Sequence, residues 1–144
     1  MSKVAIVYWS GTGNTEAMAN LVKAGAEKAG AEVDLITAAD FSADKIGDYT
    51  AIGFGCPSMG DEELEDGEFL PMWEACEAGL KGKKIGLFGS YGWGGGDWMR
   101  EWEKRMAERG ARIVGGEGVI ALESPDGDAE KQLKSLGEEL AELG

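Results

Sequence analysis

Residues 10–15 are the segment of this chain whose residue types point most directly to chemistry. The segment lies between a short apolar run and a stretch with helical periodicity. Its glycines allow backbone N–H groups to converge, and the amino terminus of the following helix favours an anion. No Gly-Lys-Ser/Thr follows, and Glu16 stands at the place of the third glycine of a dinucleotide fingerprint. We predict a phosphate site made of neutral donors, the alternative being a tight turn that caps the helix; its residues are Ser10, Gly11, Thr12, Gly13, Asn14 and Thr15.

Residues 56–66 offer an apolar side chain followed by several acids. Met59 is flexible and apolar, and Gly60 beside it can adopt a positive φ. We expect most of the carboxylates that follow to face water. A phosphatase loop of the Cys-x5-Arg type would need arginine at position 62, where the chain has Glu62. Cys56 is therefore predicted to be a small buried residue rather than a nucleophile.

Residues 89–97 place two aromatic residues among five glycines. An aromatic side chain surrounded by glycines has few neighbours to pack against, so Trp93 is predicted to lie against a flat ligand. The alternative for Trp93 is a core position folded back onto the protein. Tyr91 is not expected to act as such a plate, and Trp98 and Trp102 are predicted to be core residues of a helix.

Short apolar runs alternate with helical patterns along the chain. Strands are predicted at 3–8, 32–37, 50–56, 83–89 and 111–121, the last of them bent or broken at Gly115 and Gly116. Helices are predicted over 18–29, 71–80, 97–108 and 128–143, with Gly30 ending the first and Asp97 capping the third.

This alternation is typical of an α/β fold with three layers. We predict a doubly wound, five-stranded parallel sheet of order 2-1-3-4-5, forming a single domain over residues 1–144. The three segments described above follow the first, third and fourth strands, so they meet at one edge of the sheet. The predicted ligand is therefore a phosphate joined to a flat ring.

Composition excludes several classes of function. The 144 residues include 27 acids against 14 Lys and Arg, a formal charge of −13, which argues against unassisted binding of nucleic acid or an anionic membrane. Histidine is absent, which removes Ser-His, Cys-His and His-ligated metal schemes. The two cysteines are too few for a disulfide scaffold, and the apolar run near the start is too short for a signal or membrane segment, so we expect a cytoplasmic protein.

Three separated motifs resemble those of the flavodoxins, specifically the short-chain group of anaerobic bacteria. They are Tyr-Trp-Ser-Gly-Thr-Gly-Asn-Thr-Glu at 8–16, Gly-Cys-Pro at 55–57 with Met59 and Gly60, and Gly-Leu-Phe-Gly-Ser-Tyr-Gly-Trp-Gly at 86–94. The fifth predicted strand has no long insertion, which marks the short-chain group. The resemblance implies non-covalent FMN and a low-potential one-electron carrier that shuttles between semiquinone and hydroquinone and substitutes for ferredoxin.

The resemblance also implies which residues would hold the cofactor phosphate. They would be Ser10, Thr12, Asn14 and Thr15, with Ser90 nearby. Some relatives have serine at the place of Pro57, so one possible phosphate contact is missing here. Residues 122–124 look less polar than expected beside a ribityl chain.

Around the flavin ring, the resemblance implies contacts from two loops. Met59 would cover the inner face of the ring and Trp93 the outer face. The N5 and N3 edge would meet Gly60, Asp61 and Glu62, and Ser58 of the same loop would also bind the cofactor. The peptide between Gly60 and Asp61 would turn over on reduction, which a glycine allows. The pyrimidine carbonyl would lie beside Tyr91 and Gly92.

Two other functions fit the same predicted fold. An FMN-dependent quinone or flavin reductase is the alternative, although such enzymes usually need extra segments that this chain lacks. A signalling receiver domain would need an aspartate at the end of the third strand, where Cys56 stands, and is rejected. No Lys or Arg occurs in residues 46–80, whereas Lys81, Lys83 and Lys84 enter the fourth strand at the opposite end of the sheet. We therefore expect a monomer that receives basic redox proteins at an acidic flavin edge.

Overall fold

A parallel β-sheet with helices on both faces forms the structure, a computed structural model that describes residues 2–11, 13–59, 63–92, 96–123 and 125–142. Its strands are β1 Lys3–Tyr8, β2 Glu32–Thr37, β3 Ala51–Gly55, β4 Lys84–Tyr91, β5 Arg112–Ile113 and β6 Val119–Leu122. Its helices are α1 Asn14–Lys28, α2 Phe69–Cys76, α3 Asp97–Glu108 and α4 Gly127–Ala141. The predicted site residues that lie outside the described part of the chain are Thr12, Gly60, Asp61, Glu62 and Trp93.

The strand order is β2-β1-β3-β4-β5, and every pairing is parallel. The predicted order 2-1-3-4-5 is confirmed. The predicted fifth strand at 111–121 is two pieces that pair with successive parts of β4, β5 at Lys84 and Ile85 and β6 from Phe88 to Tyr91. A short 3-10 turn, Val114–Gly116, separates them, and Gly115 within it has a φ of 75°, which an extended strand cannot contain. The predicted break is therefore confirmed, and its cause is the backbone conformation of Gly115.

Two apolar clusters lie on opposite faces of the sheet. One packs α1 and α4 against side chains such as Ile6 and Phe88, and the other packs α2 and α3 against side chains such as Phe54 and Leu87. Parallel strands buried on both faces explain why the sequence shows continuous apolar runs instead of alternation.

Helices α1 and α4 are in unusually close contact through two glycines. A Cβ added at Gly25 would lie 2.0 Å from the carbonyl oxygen of Lys134, and one added at Gly137 would lie 2.0 Å from that of Val22. No side chain fits either position, so glycine sets the separation of these helices.

Three predicted helix features are corrected. Helix α2 begins at Phe69, before Pro71, because the Glu65 carboxylate accepts the backbone N–H groups at its start. The N-cap of α3 is Gly96, with a φ of 89°, and not Asp97. The predicted helix 18–29 includes Ala29, which is instead the exposed C-cap of α1, where Gly30 follows with a φ of 96°. No helix in the described ranges is long and apolar enough to span a membrane.

Candidate functional site

A cavity of about 450 Å³ opens at the carboxyl ends of β1, β3 and β4. Its position is the edge that the strand order predicts for a ligand, where the winding of the sheet reverses. Its volume falls in the range usual for small-molecule sites. The residues that line it are Trp9, Gly11, Asn14, Pro57, Ser58, Met59, Ser90, Tyr91, Gly92 and Glu123.

The loop before α1 presents backbone N–H groups at this cavity. The Ser10 hydroxyl accepts hydrogen bonds from the N–H groups of Gly13, at 3.0 Å, and Glu16, at 3.3 Å. Gly13 is the N-cap, with a φ of 95° and no side-chain cap. Within the described part of the chain, the N–H groups of Asn14 and Thr15 have no acceptor. Free N–H groups at a helix start are the donors that an anion requires.

Two hydroxyl groups connect this loop to β4. Thr15 Oγ1 and Ser90 Oγ lie 3.0 Å apart, with Thr15 1% exposed and Ser90 5% exposed. One hydrogen bond between two hydroxyls uses one of their two hydrogens, so the other hydrogen remains for a further acceptor. Only the family resemblance predicts that Ser90 lies near the phosphate loop, and its hydrogen bond with Thr15 confirms that proximity.

The loop after β3 is held against β4 and closed on itself. The N–H of Ser58 donates to the carbonyl of Ser90 at 2.9 Å. Met59 and Glu63 exchange two backbone hydrogen bonds, each 2.8 Å long, which fix both ends of the three-residue connection 60–62. Met59 itself is 38% exposed and lines the cavity, where it offers apolar surface to a ligand.

A family model for flavodoxin matches residues 6–137. The chain belongs to the flavodoxin family. It is 49% identical to a flavodoxin of Megasphaera elsdenii over 138 residues, 96% of this chain and 98% of that one, and 41% identical to a Clostridium beijerinckii flavodoxin over 96% and 99%. The solution structure of two-electron reduced Megasphaera elsdenii flavodoxin superposes with a TM-score of 0.88 at 48% identity, covering 96% of this chain and 98% of that one. The resemblance predicted from the three motifs is confirmed, and as a flavodoxin the chain binds FMN and carries electrons.

The described residues of this flavodoxin fit FMN. Free N–H groups at Asn14 and Thr15 and a spare hydroxyl hydrogen suit a phosphate, and no Lys or Arg is among the described residues of the cavity wall. Met59 and Tyr91 supply apolar surface at the same cavity. Within those ranges, no group of three or more His, Cys, Asp or Glu side chains could hold a metal ion.

The described aromatic residues between positions 91 and 102 are divided between the cavity and the core. Trp98 and Trp102 are each 2% exposed, as predicted, and the Trp98 indole N–H donates to the Cys56 carbonyl at 3.2 Å. Tyr91 is half-buried, lines the cavity and lies 5.7 Å from the Trp98 ring, centroid to centroid. Trp93, predicted as the plate, lies outside the described residues.

Glu65 departs from the solvated acids around it. Its carboxylate accepts the N–H groups of Gly67, Glu68 and Phe69 at 2.7 to 2.8 Å and is buried. Burial by itself would raise the pKa of Glu65, but hydrogen bonds from Phe69, Glu68 and Gly67 outweigh it and hold this pKa below its usual value. Glu65 therefore belongs to the start of α2 and not to the acids at the flavin edge.

Cys56 is fully buried, as predicted. Burial raises the pKa of its thiol, so it stays protonated and is no nucleophile.

Three cavity residues were not among those predicted to bind the cofactor. Trp9 directly precedes the phosphate loop, and its place in that motif is the one signal that pointed to it. Pro57 lines the cavity where some relatives have serine. Glu123 has a φ of 58°, rare for a residue with a side chain, and its N–H donates to the Tyr91 carbonyl at 2.8 Å. Nothing in the sequence indicates that conformation.

Proposed function

We propose that this flavodoxin is a low-potential one-electron carrier, not an enzyme, that shuttles between semiquinone and hydroquinone and substitutes for ferredoxin. The observation that carries the proposal is the cavity in which a neutral phosphate loop, the exposed apolar Met59 and the half-buried Tyr91 come together. When bound, FMN supplies the electron chemistry. The chain needs no general acid or base for this role, which suits a protein without histidine.

The phosphate end of the cofactor is assigned to the loop before α1. The free N–H groups of Asn14 and Thr15 support this assignment, and the Thr15–Ser90 hydroxyl pair adds a donor without adding charge. Helix α1 also presents the positive end of its dipole here. The proposed phosphate residues are Ser10, Gly11, Thr12, Gly13, Asn14, Thr15 and Ser90.

The ring of the cofactor is assigned to the loops after β3 and β4. Met59 would lie against one face, since its side chain is exposed at the cavity. Tyr91 and Gly92 line the same cavity. The remaining assignments to the ring are Ser58, Gly60, Asp61, Glu62 and Trp93.

Basic redox proteins are the proposed partners. The exposed acids that follow Met59 in the described chain, before α2, are Glu63, Asp66 and Glu68. At the opposite edge of the sheet, four cations surround a cavity of about 420 Å³: Lys81, Lys83, Lys84 and Arg112. Such a separation of charge would orient a basic partner toward the flavin edge.

Visible spectroscopy of the purified protein during stepwise reduction tests the proposed carrier. We expect one FMN per chain and two separate one-electron steps, with an intermediate spectrum at half-reduction. A colourless protein that remains so with excess FMN would overturn cofactor binding. Steady-state oxidation of NAD(P)H with a quinone by the protein alone would favour the reductase instead.

A further inference from the structure

Trp9 contacts the end of β3 and the phosphate loop. Its backbone N–H donates to the Gly55 carbonyl at the end of β3, at 3.0 Å. Its ring lines the cavity and lies against Gly11, where an added Cβ would be 3.0 Å from Trp9 Cη2. The ring therefore packs against the phosphate loop at Gly11, where a Cβ would be a tight contact.

The indole of Trp9 also holds a residue 59 positions further along the chain. Its Nε1–H donates to Glu68 Oε1 at 3.0 Å. Glu68 is the N-cap residue of α2, and its own N–H donates to the buried Glu65 carboxylate at 2.8 Å. The Glu65 N–H in turn donates to Cys56 Sγ at 3.3 Å. Residues 63–68 are thereby fixed between the end of β3 and the phosphate loop.

This segment directly continues the loop that carries Met59. Glu63 pairs with Met59 at one end of the segment, and Glu68 bonds to Trp9 at the other. We call the described residues 58, 59 and 63–68 the flavin-edge loop. The hydrogen bond from the Trp9 indole N–H therefore joins the residue before the phosphate loop to the far end of the flavin-edge loop.

We propose that Trp9 is a positioning residue that sets the flavin-edge loop against the phosphate loop through its hydrogen bond to Glu68. The inference rests on the proposed function in that FMN must contact both loops at once. FMN affinity then depends on the Trp9–Glu68 bond, because a cofactor held at two places binds best when their separation is already set.

A double-mutant cycle on FMN affinity tests the inference. The apoprotein is titrated with FMN, whose fluorescence reports binding, in the parent, Trp9→Phe, Glu68→Ala and the double variant. Each single variant is expected to raise the Kd about 3- to 10-fold, the range for one net hydrogen bond. The double variant is expected to be no weaker than Trp9→Phe alone, since both changes remove the same bond.

Two further variants separate positioning from charge and from general stability. Glu68→Gln keeps an oxygen acceptor for the indole, so it is expected to bind FMN within about 2-fold of the parent. Asp66→Ala removes a neighbouring exposed carboxylate and is expected to leave the Kd unchanged within the same limit. Should Trp9→Phe fail to fold, the comparison of Glu68→Ala with Glu68→Gln and Asp66→Ala still decides.

The inference would be overturned if the increases in Kd of the two single variants multiplied in the double variant. It would also be overturned if Asp66→Ala weakened FMN binding as much as Glu68→Ala does. Either result would leave FMN binding by the parent intact. A parent that binds no FMN would instead overturn the proposed function.

Discussion

Thr15 and Ser90 are 75 positions apart in the chain, yet their hydroxyl oxygens lie 3.0 Å apart in an almost fully buried pair. The pair joins the first turn of α1 to the last residues of β4, and so connects two of the segments that form the cavity. The pair also leaves one hydroxyl hydrogen for a ligand.

Removing Ser90 from this pair is expected to weaken FMN binding. Ser90→Ala leaves the Thr15 hydroxyl without its partner, which should lower the free energy of unfolding of the apoprotein by about 1 kcal/mol and raise the Kd for FMN about 3- to 10-fold. Urea unfolding and FMN titration measure the two effects.

Ser2→Ala is the matched control for this prediction. Ser2 is also buried, and its hydroxyl donates to the Ala141 carbonyl at 2.6 Å, at the other edge of the sheet. It should lose comparable stability and keep the parent's FMN affinity. Equal FMN affinities for the Ser90 and Ser2 variants would contradict a role for the hydroxyl pair in binding.

The buried carboxylate of Glu65 is expected to make stability depend on pH. Because its pKa is lower in the folded protein than in the unfolded chain, its stabilisation is fully present above the unfolded value near 4.5 and is lost as pH falls through the folded value. Glu65→Gln should therefore reduce the free energy of unfolding by about 0.5–2 kcal/mol at neutral pH, as for a helix cap.

The pH profile distinguishes this capping role from simple packing. The stability difference between the parent and Glu65→Gln should be constant from about pH 6 to about pH 8 and shrink below about pH 4.5. Asp66→Asn, at an exposed neighbour, should show no such difference. A deficit that persists unchanged into acid would mean that the charge of Glu65 is not what stabilises α2.

The contact between α1 and α4 is expected to tolerate no side chain at Gly137. Gly137→Ala would drive a methyl group into the Val22 carbonyl, 2.0 Å away, so the helices must separate and the free energy of unfolding should fall by about 1–3 kcal/mol. Gly127→Ala, at the open start of the same helix, meets nothing within 4 Å and should be close to neutral. Thermal unfolding of both variants checks the contrast, and equal melting temperatures would refute it.

Neutralising the acids beside Met59 is expected to raise the second one-electron potential. Glu65 is excluded from this set, because it is committed to α2. Asp61→Asn with Glu62→Gln removes two charges, each worth about 0.4 kcal/mol at ~10 Å in water and more when partly buried. Since ~1.4 kcal/mol corresponds to about 59 mV for one electron, a rise of tens of millivolts follows.

Potentiometric titration of the FMN-loaded protein measures that change. Glu32→Gln with Asp48→Asn removes the same charge from residues that precede or begin strands at the opposite edge, and should shift the potential less. An unchanged or lowered potential in the Asp61 and Glu62 variant would refute the electrostatic account.

Electron transfer to a small basic redox protein is expected to slow steeply as salt is added. Exposed acids at the flavin edge would accelerate the encounter with a basic partner, and added ions would screen them. Glu63→Lys with Asp66→Lys should lower the rate at low salt and flatten its salt dependence. Lys81→Glu, at the opposite edge, should do neither, and a parent rate that is flat with ionic strength would exclude steering.

The strands could be predicted closely because their signal is local. β1 and β2 have the bounds expected from their runs of Val, Ile and Leu. The last strand is divided at Gly115, and the glycines at 115 and 116 are the feature of the sequence that predicts this break. The sequence predicts the start of α2 two residues too late. The N–H groups at the helix start donate to the side chain of Glu65, which lies further from the helix start than an ordinary N-cap residue.

The site could be predicted as an edge with three loops, but not as a set of contacts. In the sequence Glu65 looks like the acids around it, and only the fold turns its carboxylate toward the backbone of α2. The Trp9–Glu68 and Thr15–Ser90 bonds likewise join residues that no local pattern relates. Such contacts depend on which side chains the fold brings together across the loops, which residue spacing alone does not encode.

The two 2.8 Å hydrogen bonds between Met59 and Glu63 have an entropic consequence. They hold the two positions together, so the entropy of bringing them close is lost once, when the chain folds. A ligand that binds against Met59 does not have to close this part of the chain again, which is a form of preorganisation.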